Sequence, residues 1–413
     1  MQMQTIAVQS DRLQKTTRLD GVIIILLFSL GLYFPSSIGT HISKVLLGIF
    51  DLLCLTFFVI LLARSKHTAS FPACASLLSV VPLLLVFTYT SGLHTYTYGT
   101  VAVCTLLAFL YMTNLAEIRL PNWFYYLYIF INILNIGLCV GVLTGSSSVG
   151  EFLTAHYSVF HDELVPTMVM FRKPVLTFGT HSLAGFFLYL FFYVNLQTYR
   201  LKGGKLFLSF ALCYLFLTLS LLSVTGIILG LVGMVQIFYY LGSSIRHRWL
   251  WISGIAVSIC MIATFDRHDV VAATWIDIAG SGKAILMSQV NGFLGRIRPD
   301  GTMYYAIQYL KAYTFAPVGA SEREGLMFVD SGWIDYLIRG SVIFLVWAYG
   351  GLFFFLKRSL LAKSDLYWLF GLIVAFESGF SSLSVTRTVY LIPFFVVYMN
   401  ALRQSPMGAR RRI

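Results

Sequence analysis

The side chains able to do chemistry in this chain stand at a few places. Arg172-Lys173-Pro174 sets two cations side by side, Arg296 and Arg298 flank a single residue, and Asp330 opens the run Asp330-Ser331-Gly332-Trp333-Ile334-Asp335. Such cations suit a phosphate or pyrophosphate, arginine through its planar fork and lysine as a point charge. The same residue types also anchor a membrane interface by snorkelling, and residue type alone does not separate the two readings. Arg296 and Arg298 share a face on an extended stretch and diverge on a helix. Asp330 reads either as a helix N-cap or as a carboxylate that takes a proton from a hydroxyl at the mouth of a cavity, and the two roles are compatible. Asp335 and Arg339, four residues apart, face each other on a helix and are expected to pair. Glu377, in Phe376-Glu377-Ser378-Gly379, and Arg387 are expected to form a second pair, structural in the first instance, lining the same cavity. Asp51 is a further acid within an apolar stretch, and charged groups at such depth face a bundle interior or a wet cavity. His181, after Gly179-Thr180, reads as a polar cap or a site residue. Ser321-Glu322-Arg323-Glu324 reads as a solvated charge run. His156 and His161 are five apart, His268 stands alone, and there is no HExxH, so no metal or other cofactor is expected.

The elements that must position these residues follow from composition. Of 413 residues 58% are hydrophobic and 11% charged, and the mean hydropathy is +0.80. No soluble domain keeps that balance. Repeated apolar runs of about 20 residues fit helices crossing roughly 30 Å of hydrocarbon, whereas a membrane barrel would show alternating segments of ~10 residues. The sequence predicts an all-α polytopic membrane protein, one transmembrane domain over 1–413. Its twelve spans fall near 20–36, 43–63, 71–90, 98–114, 121–144, 181–198, 206–222, 225–242, 249–265, 333–356, 365–381 and 388–403. Residues 206–242 form one apolar tract, and Ser223-Val224-Thr225-Gly226 is the sole sign of a turn within it. The first 19 residues are polar, so the first span is expected to act as an uncleaved signal anchor.

Charge orients the spans. Arg12, Lys15 and Arg18; Arg64 and Lys66; Arg119; Arg200, Lys202 and Lys205; Arg246 and Arg248; Lys357, Arg358 and Lys363; and Arg403 and Arg410 to Arg412 all fall on one side, mostly in short loops. That side is expected to be cytoplasmic, with both termini on it. The net charge of +12 follows largely from this distribution. It does not suggest nucleic acid, because the cations are not gathered into a patch with aromatic platforms. The six cysteines lie within apolar spans without zinc spacing and read as small hydrophobes.

Two long loops then face outward, a smaller one at 145–180 and a larger one at 266–331. Long insertions in a compact scaffold are usually functional. In the larger loop, 273–298 and Met303 to Phe315 carry apolar residues at roughly helical spacing, separated by the turn signal Pro299-Asp300-Gly301. Such helices would lie on the membrane surface or cap a cavity.

Three outer segments resemble one known group, the bacterial oligosaccharide repeat-unit polymerases and O-antigen ligases. The stretch Arg172-Lys173-Pro174-Val175-Leu176-Thr177-Phe178-Gly179-Thr180-His181-Ser182-Leu183-Ala184 is similar to the family's basic residue, glycine, small polar pair and alanine opening a span. Gly295-Arg296, a polar-aromatic helix and Ala316-Pro317-Val318-Gly319 are similar to its arginine, amphipathic helix and Pro-x-Gly run. Asp330 to Ile334 through Arg339-Gly340-Ser341-Val342-Ile343 resembles the return of the large loop to the membrane. Each motif is short and degenerate, and the likeness rests on their order, spacing and common side. It covers about 180–340 well and the first five spans only by hydropathy. Two departures stand out. Ser223-Val224-Thr225-Gly226 lacks the arginine of the family's Ser-Arg-Gly run, and Asp330 stands where ligases commonly carry histidine. The second favours a polymerase over a ligase and puts a histidine-base mechanism in doubt.

The resemblance implies a GT-C-like glycosyltransferase of the bacterial inner membrane. It would join polyprenyl-diphosphate-linked oligosaccharides, donor and acceptor both, without a metal. Arg172 and Arg296 would stabilise the leaving diphosphate, with Lys173 and Arg298 in support, and Asp330 would activate or orient the acceptor hydroxyl. His181, Arg323, Asp335, Arg339, Glu377 and Arg387 would line the substrate cleft. Membrane lipid, a chain-length regulator and a flippase are the implied partners. The related ligase is one alternative. A transporter or flippase is another, weakened by the absence of internal repeats and of broken helices in inverted pairs.

Overall fold

The computed structural model describes residues 19–35, 37–38, 41–64, 71–91, 98–157, 164–221, 223–241, 299, 303–312, 317–321, 331–379, 383 and 385–404. Most of the larger loop and the expected span at 249–265 lie outside the described residues.

The described residues form helices and one two-residue bridge, Ser37–Ile38 antiparallel to His41–Ile42. Apolar sequence in lipid must satisfy every backbone group internally, and a helix does so within one segment. The helices are α1 (Leu19–Tyr33), α2 (Lys44–Arg64), α3 (Phe71–Leu78), α4 (Val80–Thr90), α5 (Tyr98–Met112), α6 (Phe124–Leu143), α7 (Ser147–Tyr157), α8 (Leu164–Met170), α9 (His181–Lys202), α10 (Lys205–Ser220) and α11 (Val224–Leu241). They continue as α12 (Tyr304–Ala312), α13 (Gly332–Ser359), α14 (Lys363–Glu377) and α15 (Thr386–Gln404). Lys44–Arg64, Pro72–Thr90, Phe124–Leu143 and Gly332–Ser359 are long and apolar enough to cross a membrane, and α1, α5, α10 and most of α11 are shorter apolar helices.

Burial sorts the bundle. Every residue of α9 from Leu183 to Thr198 is buried, as is α15 from Arg387 to Asn400. These two central helices carry polar side chains and face protein, whereas α2, rich in leucine and isoleucine, leaves Leu52, Leu53, Val59 and Ile60 exposed as a lipid-facing helix would. Aromatic rings fill the centre: Phe28 stacks on Phe394 at 3.6 Å and Phe191 on Tyr214 at 5.2 Å. Buried amides cross between helices, Asn195 Nδ2 donating to Asn132 Oδ1 at 2.8 Å and Tyr33 Oη to Asn135 Oδ1 at 2.8 Å. Such bonds hold helices together where hydrophobicity provides no drive between them.

Local chemistry sets the boundaries. The expected span 71–90 is realised over Pro72–Thr90, with a local irregularity at Ser79, still helical in its dihedrals, that divides it into α3 and α4. Pro82 lacks an N–H and its ring conflicts with the carbonyl four residues back, at Leu78. The tract 206–242 does turn near Ser223, whose Oγ accepts from Gly226 N at 3.1 Å. A Cβ on Gly226 would stand 2.6 Å from the Thr218 carbonyl oxygen, and Gly230 and Gly233 meet Leu219 and Leu215, so a glycine stripe on α11 lets α10 approach. The smaller loop contains two helices that apolar periodicity did not announce, α7 and α8. Within the expected Met303–Phe315 helix, α12 is realised over Tyr304–Ala312.

The charge alternation has a counterpart in space. Arg64 pairs with Asp20 at 2.6 Å, and Gly21 lies against the main-chain carbonyl of Arg119. Arg358 donates to the carbonyls of Tyr111 and Thr113, and Arg403 pairs with Asp365 at 2.7 Å. These cations gather at one end of the bundle, the basic end. The loop residues Tyr157, Thr177 and Leu383 meet the helices at the opposite end.

Candidate functional site

At the end opposite the basic one, three polar groupings adjoin. The first is built on Arg387, at the first turn of α15 and 4% exposed. Its Nη1 donates to the Thr177 carbonyl at 2.9 Å and its Nη2 to the Phe34 carbonyl, and its guanidinium lies 5.4 Å from the centre of the Tyr157 ring. Thr177 Oγ1 donates to the Leu32 carbonyl, and Tyr157 Oη to the Tyr33 carbonyl at 2.8 Å. One guanidinium thus ties together the ends of α1, α7 and the segment that leads into α9. Burial raises the Tyr157 phenol above its ordinary range, against the smaller opposing pull of Arg387.

Arg172 and Lys173 open that same segment, and both are half-buried. Arg172 has φ +52° and its guanidinium packs beside Gly145, the left-handed residue in the turn between α6 and α7. Burial lowers the Lys173 ammonium pKa. Thr180, extended, caps α9 by accepting from Leu183 N at 3.4 Å, so the cap role belongs to Thr180 and His181 is the first helical residue.

The second grouping forms on α13. Asp335 accepts from Arg339 Nε at 2.7 Å, as their spacing predicts. Arg339 Nη1 also donates to the Gly319 carbonyl at 3.2 Å. Directly after Arg339 the helix breaks, Gly340 and Ser341 having non-helical dihedrals. A break removes helical partners from the preceding carbonyls. Here the returning loop supplies them: Val318 N donates to the Ile338 carbonyl and Gly319 N to the Arg339 carbonyl, each at 3.0 Å. On its other side this segment meets α4, Ala320 N donating to Thr88 Oγ1 at 2.7 Å and Ser91 Oγ lying 3.3 Å from Ser321 Oγ. Gly319, at φ +65°, lies against the Thr88 and Leu84 backbone, where a Cβ has no room.

The third grouping is Glu377, fully buried where α14 ends. It accepts from Leu383 N at 2.7 Å and from Tyr349 Oη at 3.3 Å. Its carboxylate touches Gly332, the first residue of α13, so it sits at the positive end of that helix. Phe186 of α9 stacks on Phe376 at 4.5 Å, linking this grouping to the first.

The expected Glu377–Arg387 pair does not form. Carbonyls and a ring surround Arg387, and Glu377 turns to a backbone N–H and a tyrosine. Residues at the end of one helix and the start of the next need not point at one another when loop backbone lies between them. Arg296, Arg298, Arg323 and Asp330 lie outside the described residues. Tyr157, Thr177, Tyr349 and Thr88 join the site without having been singled out. Thr177 lies within the segment marked by its basic residues, but nothing in the sequence distinguishes the other three. Asp51 lies below Arg387 along the bundle, accepting from Tyr390 Oη at 3.2 Å. Comparisons with protein-family models, curated proteins and solved structures find no match to this chain.

Proposed function

We propose that this protein is a polymerase that joins polyprenyl-diphosphate-linked oligosaccharide repeat units at the outer face of a bacterial inner membrane, with about twelve spans of GT-C-like arrangement and both termini in the cytoplasm. The observation that carries the reading is the anchoring of the long outer loop over a charged pair. Arg339 holds Asp335 and the Gly319 carbonyl together, at the end of the bundle where Arg387 gathers three other segments. A lipid-linked substrate presents its diphosphate at the membrane surface and its sugar to the water, so the chemistry belongs at such an end.

In the proposed reaction the acceptor hydroxyl oxygen bonds to the donor's anomeric carbon as the bond from that carbon to the diphosphate oxygen breaks. Configuration inverts in this single displacement. The hydroxyl proton goes to Asp330, and the leaving diphosphate is met by Arg172 and Arg296, with Lys173 and Arg298 beside them. Guanidinium donors suit this role because charge grows on the leaving oxygens in the transition state. His181, Arg323, Asp335, Arg339, Glu377 and Arg387 would shape the cleft. A flippase would deliver the substrate and a chain-length regulator would set its final size.

The deciding assay incubates purified protein with a polyprenyl-diphosphate-linked repeat unit drawn from a panel of repeat-unit chemistries. A ladder of lipid-linked products, with free polyprenyl diphosphate released, supports the polymerase. Movement of the substrate across liposomes with no ladder from any panel member replaces it with a transporter.

A further inference from the structure

At the basic end, opposite the site above, a cleft of about 720 Å³ opens between the α5–α6 loop, the last turn of α9 and the last turn of α15. Arg119, Asn122, Tyr125, Lys202, Tyr398 and Gln404 line it. Two cations from separate elements thus converge with two amide side chains over an aromatic floor. Arg64 and Arg403 nearby are held by Asp20 and Asp365. Arg119 and Lys202 enter no ion pair among the described residues. The cleft also receives the N-terminal turn of the 20-residue helix α6, whose dipole favours an anion there.

What adjoins the cleft distinguishes a lipid from a free ion. Trp123 and Tyr126 are 51% and 74% exposed beside it, the amphipathic rings found at headgroup depth. From there Phe130, Ile133 and Val140 leave an exposed apolar track along α6. A headgroup seated between Arg119 and Lys202 would lead its acyl chains onto that track. Basic pockets between spans at the cytoplasmic side are the usual seats of anionic headgroups. We propose that this cleft binds the phosphate headgroup of an anionic glycerophospholipid. The proposal does not depend on the activity at the other end.

The test measures binding of dioctanoyl-phosphatidylglycerol to the full-length protein in neutral detergent, beside inorganic phosphate and dioctanoyl-phosphatidylcholine. Saturable binding of the anionic lipid alone is expected. Arg119→Ala with Lys202→Ala should weaken it at least tenfold, Lys202→Arg should retain it, and Lys357→Ala, an exposed cation of the same end outside the cleft, should leave it unchanged. Lys202→Gln alone, at an exposed helix terminus, provides a milder variant with a few-fold loss. Equal binding of phosphate would overturn the lipid assignment. Equal loss with Lys357→Ala would reduce the effect to diffuse surface charge and overturn the site.

Discussion

Asp335 and Arg339 show how much a single spacing can determine. Four residues apart on a helix, they meet at 2.7 Å, and Asp335 is only 4% exposed. Removing Arg339 takes the guanidinium at 2.7 Å away from a buried carboxylate, and breaking a buried pair costs about 3–5 kcal/mol. Arg339→Ala is therefore expected to lower the thermal midpoint in detergent by several degrees and to free the Gly319 segment. The buried thiols of Cys54, Cys104 and Cys139 provide the readout, becoming reactive to a thiol dye on unfolding. An unchanged midpoint would exclude the pair as a structural tie. Arg387→Ala should be comparably costly, because it orphans the Thr177 and Phe34 carbonyls at about 1–3 kcal/mol each, and Arg387→Lys should recover only part of the loss. Lys173 makes a different prediction. Burial lowers its pKa, so it loses its charge at lower pH than an exposed lysine does. If it meets the leaving diphosphate, the alkaline limb of the activity profile moves up in Lys173→Arg, whose guanidinium stays charged. An unmoved limb removes Lys173 from the proposed site.

Helices and loops define one another here through unsatisfied backbone. The break at Gly340–Ser341 in α13 is stable because Val318 and Gly319 donate to the carbonyls it exposes. Gly319 fits only as glycine: its φ of +65° costs other residues about 1–2 kcal/mol, and a Cβ would strike the α4 backbone. Gly319→Ala should release the segment from α4 and α13. Limited proteolysis then gains a cut near 317–321, and resistance equal to wild type would contradict the wedge. On α11 the stripe of Gly226, Gly230 and Gly233 sets the approach of α10 in the same way. Gly230→Leu should separate these helices with little effect at the polar end, which a cysteine crosslink across the α10–α11 hairpin would report.

The molecule as a whole is polarised from one end of the bundle to the other. At one end Arg64 and Arg403 form ion pairs and Arg358 binds carbonyls, and the loops meet the other. A reporter fused after Ile413 is expected to be active only when it functions in the cytoplasm, and activity confined to the outside would reverse the proposed orientation. With that orientation, Arg172→Ala or Arg296→Ala should abolish polymer while leaving membrane insertion intact. Normal chain length in both variants would discard the arginine clamp. The central helices α9 and α15 are held by polar and aromatic contacts as well as apolar ones, so Asn195→Leu should cost about 0.5–2 kcal/mol through its bonds to Asn132 and the Phe191 carbonyl.

The sequence by itself determined the helical class, the apolar helices long enough to cross a membrane and the division of charge between the two ends. Hydropathy and the side preference of lysine and arginine are local properties that need no knowledge of neighbours. It also determined the Asp335–Arg339 pair and the turn at Ser223, because each depends on residues within one helical turn. Only the tertiary structure decided that Arg387 binds the Thr177 and Phe34 carbonyls and not Glu377, that Glu377 reaches the start of α13, and that Gly319 is wedged between α4 and α13. Each of these contacts joins segments far apart in the chain through backbone groups. Every residue carries such groups alike, so the partner is chosen by helix packing, and no single residue announces it.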